Sequence, residues 1–206
     1  MDQSKLLTLF SSVLQRTRVA DHETIAERLR PEIDTIRATT PNGPAGAWAC
    51  PVYSTLMTDA DLHRRDALQE IVGIFQEEVV ALAERKSVDL DAQGITIAKC
   101  WLNVFRRGDS MDVHNHPNSF YTGIYFLQAP SDGTRLFLRN PGEDERGLSL
   151  PVKKETILNQ EGYTHQPVAG ELLIFESYIP YSFQVHQSDQ EHINLSFTAA
   201  GPLSPV

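Results

Sequence analysis

Five of the seven histidines fall between positions 114 and 192, and His114 and His116 are separated by a single residue. Side chains two apart on a β-strand point to the same face, so this pair could reach one metal ion. Imidazole suits iron, zinc, copper and nickel alike, so the pair does not name the metal. A solvated loop would show the same H-x-H spacing by chance. Asp112 shares the face if the strand begins early enough. Further on, Tyr181, Phe183 and Val185 alternate with Ser182, Gln184 and His186. With Phe183 and Val185 turned to a core, Tyr181 points inward and His186 outward; a bulge or a two-residue shift would bring His186 back. His192, Asn194 and Ser196 alternate with Ile193, Leu195 and Phe197. Such a polar face would line a pocket rather than fill a core. His192 could there act as an acid or base, a metal ligand, a carboxylate partner or a hydrogen-bonded structural residue.

The elements that would position these residues divide the chain near residue 95. Residues 1–92 read as mostly helical. Ile25, Leu29, Ile33 and Ile36 follow Asp21, a candidate N-cap, and Pro31 predicts a kink or two short helices. The 39–52 stretch, with three prolines and two glycines, reads as loop. From Asp59 to Lys86 a broad apolar stripe predicts a second helix. From Ile95 the texture is β. Short strands are expected at 95–105, 120–127, 134–138, 156–158, 170–175, 182–185 and 193–198, separated by turn signals such as RRGDS and HPNS. That spacing reads as an all-β sandwich or barrel and not a βαβ fold. On the first long strand Trp101 and Asn103 share a face with Lys99 and Phe105. They would line the mouth of a pocket, although Trp101 also suits plain core. Arg139 could turn in to hold a carboxylate; alternation with Leu136 and Leu138 puts it instead on a solvated face with Arg135. His165 reads as an exposed loop residue, and Glu176 has no evident role.

Composition narrows the function classes. Lys plus Arg is 18 against 27 Asp plus Glu, a net charge of −9. That disfavours a general nucleic-acid or anionic-membrane binder, and an anionic substrate would need a local Lys or Arg. Two cysteines, Cys50 and Cys100, make no disulfide framework or CxxC metal motif. The first residues lack the apolar core of a signal peptide, and no run approaches the length of a membrane span. The expectation is a cytoplasmic protein, as compatible with a homodimer as with a monomer.

The order of motifs adds a resemblance. Trp101-Leu-Asn103, Gly108-Asp109, His114-Asn-His116-Pro-Asn-Ser119, Thr122-Gly123-Ile-Tyr-Phe126-Leu127, Pro167 to Ser177 and His192-Ile-Asn-Leu-Ser-Phe197 occur in that sequence. This resembles a small family of 2-oxoglutarate/Fe(II) oxygenases with the pattern W-x-N, G-D, H-x-H-P-x-S, S-G-x-Y-Y-L, P-x-x-G-x-L-x-x-F-x-S, a late His and R-I-S-x-S-F. The likeness extends weakly to Leu9-Phe10 and to Gly46-Ala-Trp48. It implies an α+β, mainly β fold: a double-stranded β-helix, the cupin-like jelly roll, over 95–206, with an N-terminal helical segment, 1–94, packed on it as one structural unit. It also implies Fe(II), 2-oxoglutarate and O2, and oxidation of a C–H bond in a small-molecule or amino-acid-like substrate.

Three departures fall at the chemistry. The family's late metal-binding His aligns with Tyr181. The late Arg that would pair the distal carboxylate of 2-oxoglutarate aligns with His192. A Tyr that also reaches that carboxylate aligns with Phe126. The third metal ligand beside His114 and His116 is then Tyr181, His186, His192 or Asp112, and Asn103, Phe126, Arg139 and His192 are the candidates around the cosubstrate. The alternatives are a cupin-like metalloenzyme that does not use 2-oxoglutarate, and a non-catalytic small-ligand binder.

Overall fold

The computed structural model describes residues 5–44, 52–91, 94–142, 147–148 and 150–201. Cys50 and the Gly46-Ala-Trp48 motif lie outside them. Two antiparallel sheets face each other. The larger has the order β1-β8-β5-β10-β3-β2 and the smaller β4-β9-β6-β7. Their members are β1 (Leu14–Arg18), β2 (Tyr53–Ser54), β3 (Thr96–Phe105), β4 (Met111–His114), β5 (Tyr121–Gln128), β6 (Leu136–Arg139), β7 (Gly162–His165), β8 (Glu171–Glu176), β9 (Tyr181–Phe183) and β10 (His192–Ala200). Two helices, α1 (His22–Thr39) and α2 (Gln69–Arg85), cover the outer face of the larger sheet. This is the mainly β double-stranded β-helix, with few helices.

The long strands of the larger sheet are buried on both faces, so they read as nearly continuous apolar runs. One face of β3, β5, β8 and β10 presents Cys100, Leu102, Val104, Tyr125, Leu172, Ile174, Leu195 and Phe197 to the helices. The other turns Phe105, Ile124, Phe126, Leu173 and Phe175 toward Leu136, Leu138, Tyr181 and Phe183 of the smaller sheet. One glycine shows how close the first layer is. A Cβ on Gly123 would sit 2.0 Å from Cζ of Phe197, whose ring stacks on Phe75 at 4.5 Å between centroids. Phe197 fills the space that a side chain at 123 would need.

Several local expectations are corrected. Residues 1–92 contain two strands as well as helices, and β1 forms an edge of the larger sheet, paired with β8. Pro31 sits inside one uninterrupted helix: it lies on the exposed side, while Ile25, Leu29, Ile33 and Ile36 pack as an unbroken stripe. The carbonyl that Pro31 leaves without a helical donor can therefore face water. Asp21 occupies the N-cap position but its side chain makes no capping bond. The second helix starts at Gln69, ten residues later than its pattern suggested, because Leu62–Arg64 and Asp66–Leu68 wind as 3-10 turns. Residues 156–158 form no strand; the partner of β6 is Gly162–His165. The Gly108-Asp109 motif is a structural turn. Gly108 adopts φ 94, open to glycine at little steric cost, and Asp109 Oδ2 accepts from Arg106 N at 2.8 Å.

Candidate metal centre

His114 ends β4, and His116 stands in the turn beyond it. The two are therefore not brought together by strand alternation alone. Their rings meet edge to face at 5.4 Å between centroids. The His114 Nδ1–H donates to the backbone carbonyl of Asp112 at 2.7 Å, which puts the lone pair on Nε2. This is the orientation that metal-binding histidines usually have. His116 Nε2 faces the hydroxyl of Tyr181 at 3.0 Å, and the His114 ring lies 4.3 Å from the Tyr181 ring. The pairing of β4 with β9 sets this up, since His114 and Tyr181 are opposite each other in register. Trp101, 1% exposed, packs its ring 5.1 Å from that of His116.

Electrostatics follow from burial. Desolvation pulls both imidazoles below their ordinary value; for His116, His114 and Lys99 add to this and take it to about 4. Both are neutral near pH 7, as a metal ligand must be. Desolvation pushes the Tyr181 phenol well above its usual range, and Tyr181 is 1% exposed. Two neutral imidazoles thus lie against one phenol, whose oxygen faces His116 Nε2. Among the described residues no three of His, Cys, Asp and Glu are grouped to hold a metal. The side chain that meets both imidazoles is that of Tyr181. The donor set suits iron, for which phenolate is an established ligand in the ferric state.

His186 is placed differently from its sequence reading. β9 ends at Phe183; Val185 is exposed and His186 is fully buried. Its Nδ1 accepts from Thr134 N at 3.0 Å and its Nε2 donates to the Gln190 carbonyl at 2.7 Å. Both ring nitrogens hold loops together, so His186 is structural rather than a metal ligand. Asp112 is exposed, and its backbone carbonyl accepts the His114 Nδ1–H.

The positions aligned with the cosubstrate do meet in the barrel. His192 lies 5.6 Å from Phe126 and 5.4 Å from Phe105, with Phe183 at 5.8 Å. It is fully buried, and desolvation lowers it to about 3. His192 Nε2 accepts from Asn194 Nδ2 at 3.2 Å, which leaves Nδ1 as a buried donor without a partner. Asn103 donates to Asn194 Oδ1 and Ser196 Oγ, at 2.9 and 3.2 Å, while its own Oδ1 is buried and unpartnered. Among the described residues no Lys or Arg is buried. A carboxylate placed between Phe126 and His192 would have no cation and no bidentate donor, and the cost of burying it would stand uncompensated. These residues do not fit the distal carboxylate of 2-oxoglutarate at that depth. Arg139 does not supply the charge either: Leu136 and Leu138 take the inner face of β6, and Arg139 lies on the outer side, lining a cleft beside Arg16 and Tyr163.

Two residues gain partners that sequence patterns did not suggest. His165 is buried and bonds Glu171 at 2.8 Å. Glu176 forms an ion pair with Lys86 at the end of α2.

Residues 99–198 match the family described as "Putative 2OG-Fe(II) oxygenase". Solved structures with the same fold include a Pseudomonas putida prolyl-4-hydroxylase (13% identity, TM-score 0.61, covering 93% of each chain). The non-heme alpha ketoglutarate dependent epimerase SnoN from nogalamycin biosynthesis is similar at 13% identity and TM-score 0.63, over 91% of this chain and 76% of that one. HygX from Streptomyces hygroscopicus, solved with nickel and 2-oxoglutarate, is similar at 9% identity and TM-score 0.61, over 93% and 84%. No curated protein matches. Among the described residues no helix is long and apolar enough to cross a membrane.

Proposed function

We propose that this protein is an iron-dependent oxygenase whose metal is held by His114, His116 and Tyr181, and that it oxidises a C–H bond of a small molecule. The observation that carries the reading is the convergence of two neutral imidazoles on one buried phenol at the end of the barrel. Iron bound there would supply the activation of O2 that side chains cannot provide. The chain's own residues do the rest. The Asp112 carbonyl fixes the His114 tautomer, Trp101 braces His116, and the apolar layer of Phe105, Phe175 and Phe183 keeps water from the barrel interior behind Tyr181. Tyr181 holds a proton beside His116 Nε2 and would give it up to serve as a phenolate ligand.

A second reading, a metalloenzyme that does without 2-oxoglutarate, is favoured by the aromatic surroundings of His192 and the lack of a buried cation there. One set of experiments addresses both. Iron content of the purified protein should be one per chain and should be lost in His114→Ala and His116→Ala, with circular dichroism unchanged. Undiminished iron in both variants refutes the ligand pair. Anaerobic titration of the Fe(II) protein with 2-oxoglutarate then separates the readings: a saturable visible band supports use of the oxoacid, and its absence with iron retained supports the second reading.

A further inference from the structure

If the depth of the barrel offers no grip for a carboxylate, the same end of the barrel that holds the histidines does. β3 bulges after Ile97, and beyond it Lys99 shares the inner face with Trp101, Asn103 and Phe105. In register, Lys99 lies opposite Thr198 of β10, and Thr198 lies opposite Thr122 of β5. Thr122 Oγ1 bonds Ser177 Oγ at 2.8 Å, and the Ser177 carbonyl accepts the His116 backbone N–H at 3.1 Å. Three hydroxyls therefore form a shelf beside His116, with an ammonium at its rim.

Two features of this shelf point to a ligand. Thr198 is 2% exposed and its Oγ1 has no hydrogen-bond partner among the described residues. A buried hydroxyl left unsatisfied is unfavourable, so it is a donor waiting for an acceptor. Lys99 is exposed and enters none of the ion pairs found among the described residues. Two residues along the same face, the Trp101 ring packs 5.1 Å from that of His116, which sets Lys99 at the same end of the barrel. In a chain of net charge −9, an uncompensated cation at the mouth of the candidate centre has a local field with few rivals.

We propose that Lys99 and Thr198 anchor the carboxylate of the small molecule that reaches His114 and His116. The ammonium pairs with the carboxylate and Thr198 Oγ1 donates to it, while Trp101 forms the apolar wall below. The proposal rests on the reading of His114 and His116 as the metal-binding pair. A carboxylate can come from an oxoacid cosubstrate or from the oxidised substrate, and the shelf would serve either.

The test is calorimetric titration of the Fe(II)-loaded protein, without oxygen, with 2-oxoglutarate and separately with hexanoate, iron content being measured in every sample. At least one probe should saturate. Lys99→Met should weaken it about tenfold or more, Thr198→Val several-fold, and Lys99→Arg should largely restore it, with iron content unchanged. Saturation by 2-oxoglutarate alone assigns the anchor to an oxoacid; saturation by hexanoate as well assigns it to a substrate carboxylate. Unchanged affinity in Lys99→Met, or no saturation by either probe up to about 10 mM, overturns the proposal. Wild-type protein that retains no iron refutes the metal centre instead. The Lys99 comparison is then read on the iron-free chain, where the same tenfold loss still supports the anchor and its absence overturns it.

Discussion

Replacing Tyr181 by Phe removes one oxygen and leaves the packing of the ring in place, against His114 at 4.3 Å and Phe175 at 5.3 Å. Without metal the cost is one hydrogen bond, to His116 Nε2 at 3.0 Å. His116 is only half-buried, so water can take the lost place and the destabilisation should be about 0.5–1.5 kcal/mol. With metal the effect is larger and has a distinct pH signature. Burial keeps the Tyr181 phenol protonated near neutral pH, whereas His114 and His116 are already neutral there. Binding through all three donors must therefore expel about one proton, and that proton comes from Tyr181. Affinity should rise about tenfold per pH unit above pH 7, or ~1.4 kcal/mol per unit. In Tyr181→Phe the rise should vanish and the affinity at pH 8 should drop at least tenfold. Anaerobic chelator competition at a series of pH values measures the slope, and the visible absorption of the ferric form reports phenolate ligation directly. Equal slopes in the two proteins, with an unchanged ferric spectrum, would remove Tyr181 from the metal's ligands.

Two further outcomes concern the scaffold. His192 is lowered by burial to about 3 in the fold, against about 6.5 when unfolded, so it stays neutral in the native state while the unfolded chain binds a proton. Its contribution to stability is whole above pH 6.5 and is lost as pH falls, about 3 kcal/mol by pH 4. Urea unfolding from pH 7 to pH 4 should show a shallower decline in His192→Gln than in wild type; identical declines would mean that His192 is not held neutral. Gly123→Ala would drive a methyl group into the Phe197 ring, 2.0 Å from Cζ, and should cost about 2–3 kcal/mol in the same assay, since Phe197 is fixed against Phe75. A loss below about 0.5 kcal/mol would show that the ring can step aside.

Sequence pattern alone carried the β-sandwich, because short β-rich runs with turn signals between them admit few other folds. It also carried the His114/His116 pair, since the motif order from Trp101 to Phe197 is local information. The positions of departure, Tyr181, His192 and Phe126, could be named from that order. What they do could not, because each role depends on which strand lies opposite. The β4–β9 register brings Tyr181 to both histidines, and the face that β10 turns to the smaller sheet buries His192 among Phe105, Phe126 and Phe183. His186 illustrates the limit from the other side. Alternation turned it outward, but β9 stops after three residues, and backbone bonds to Thr134 and Gln190 draw its ring into the interior. Lys99 likewise looked like one more strand residue until the pairing with Thr198 set it at the end of the barrel where Trp101 packs on His116. Residue types and periods fix which groups are available and which face they share; distances between groups far apart in the chain arise only when the sheets close.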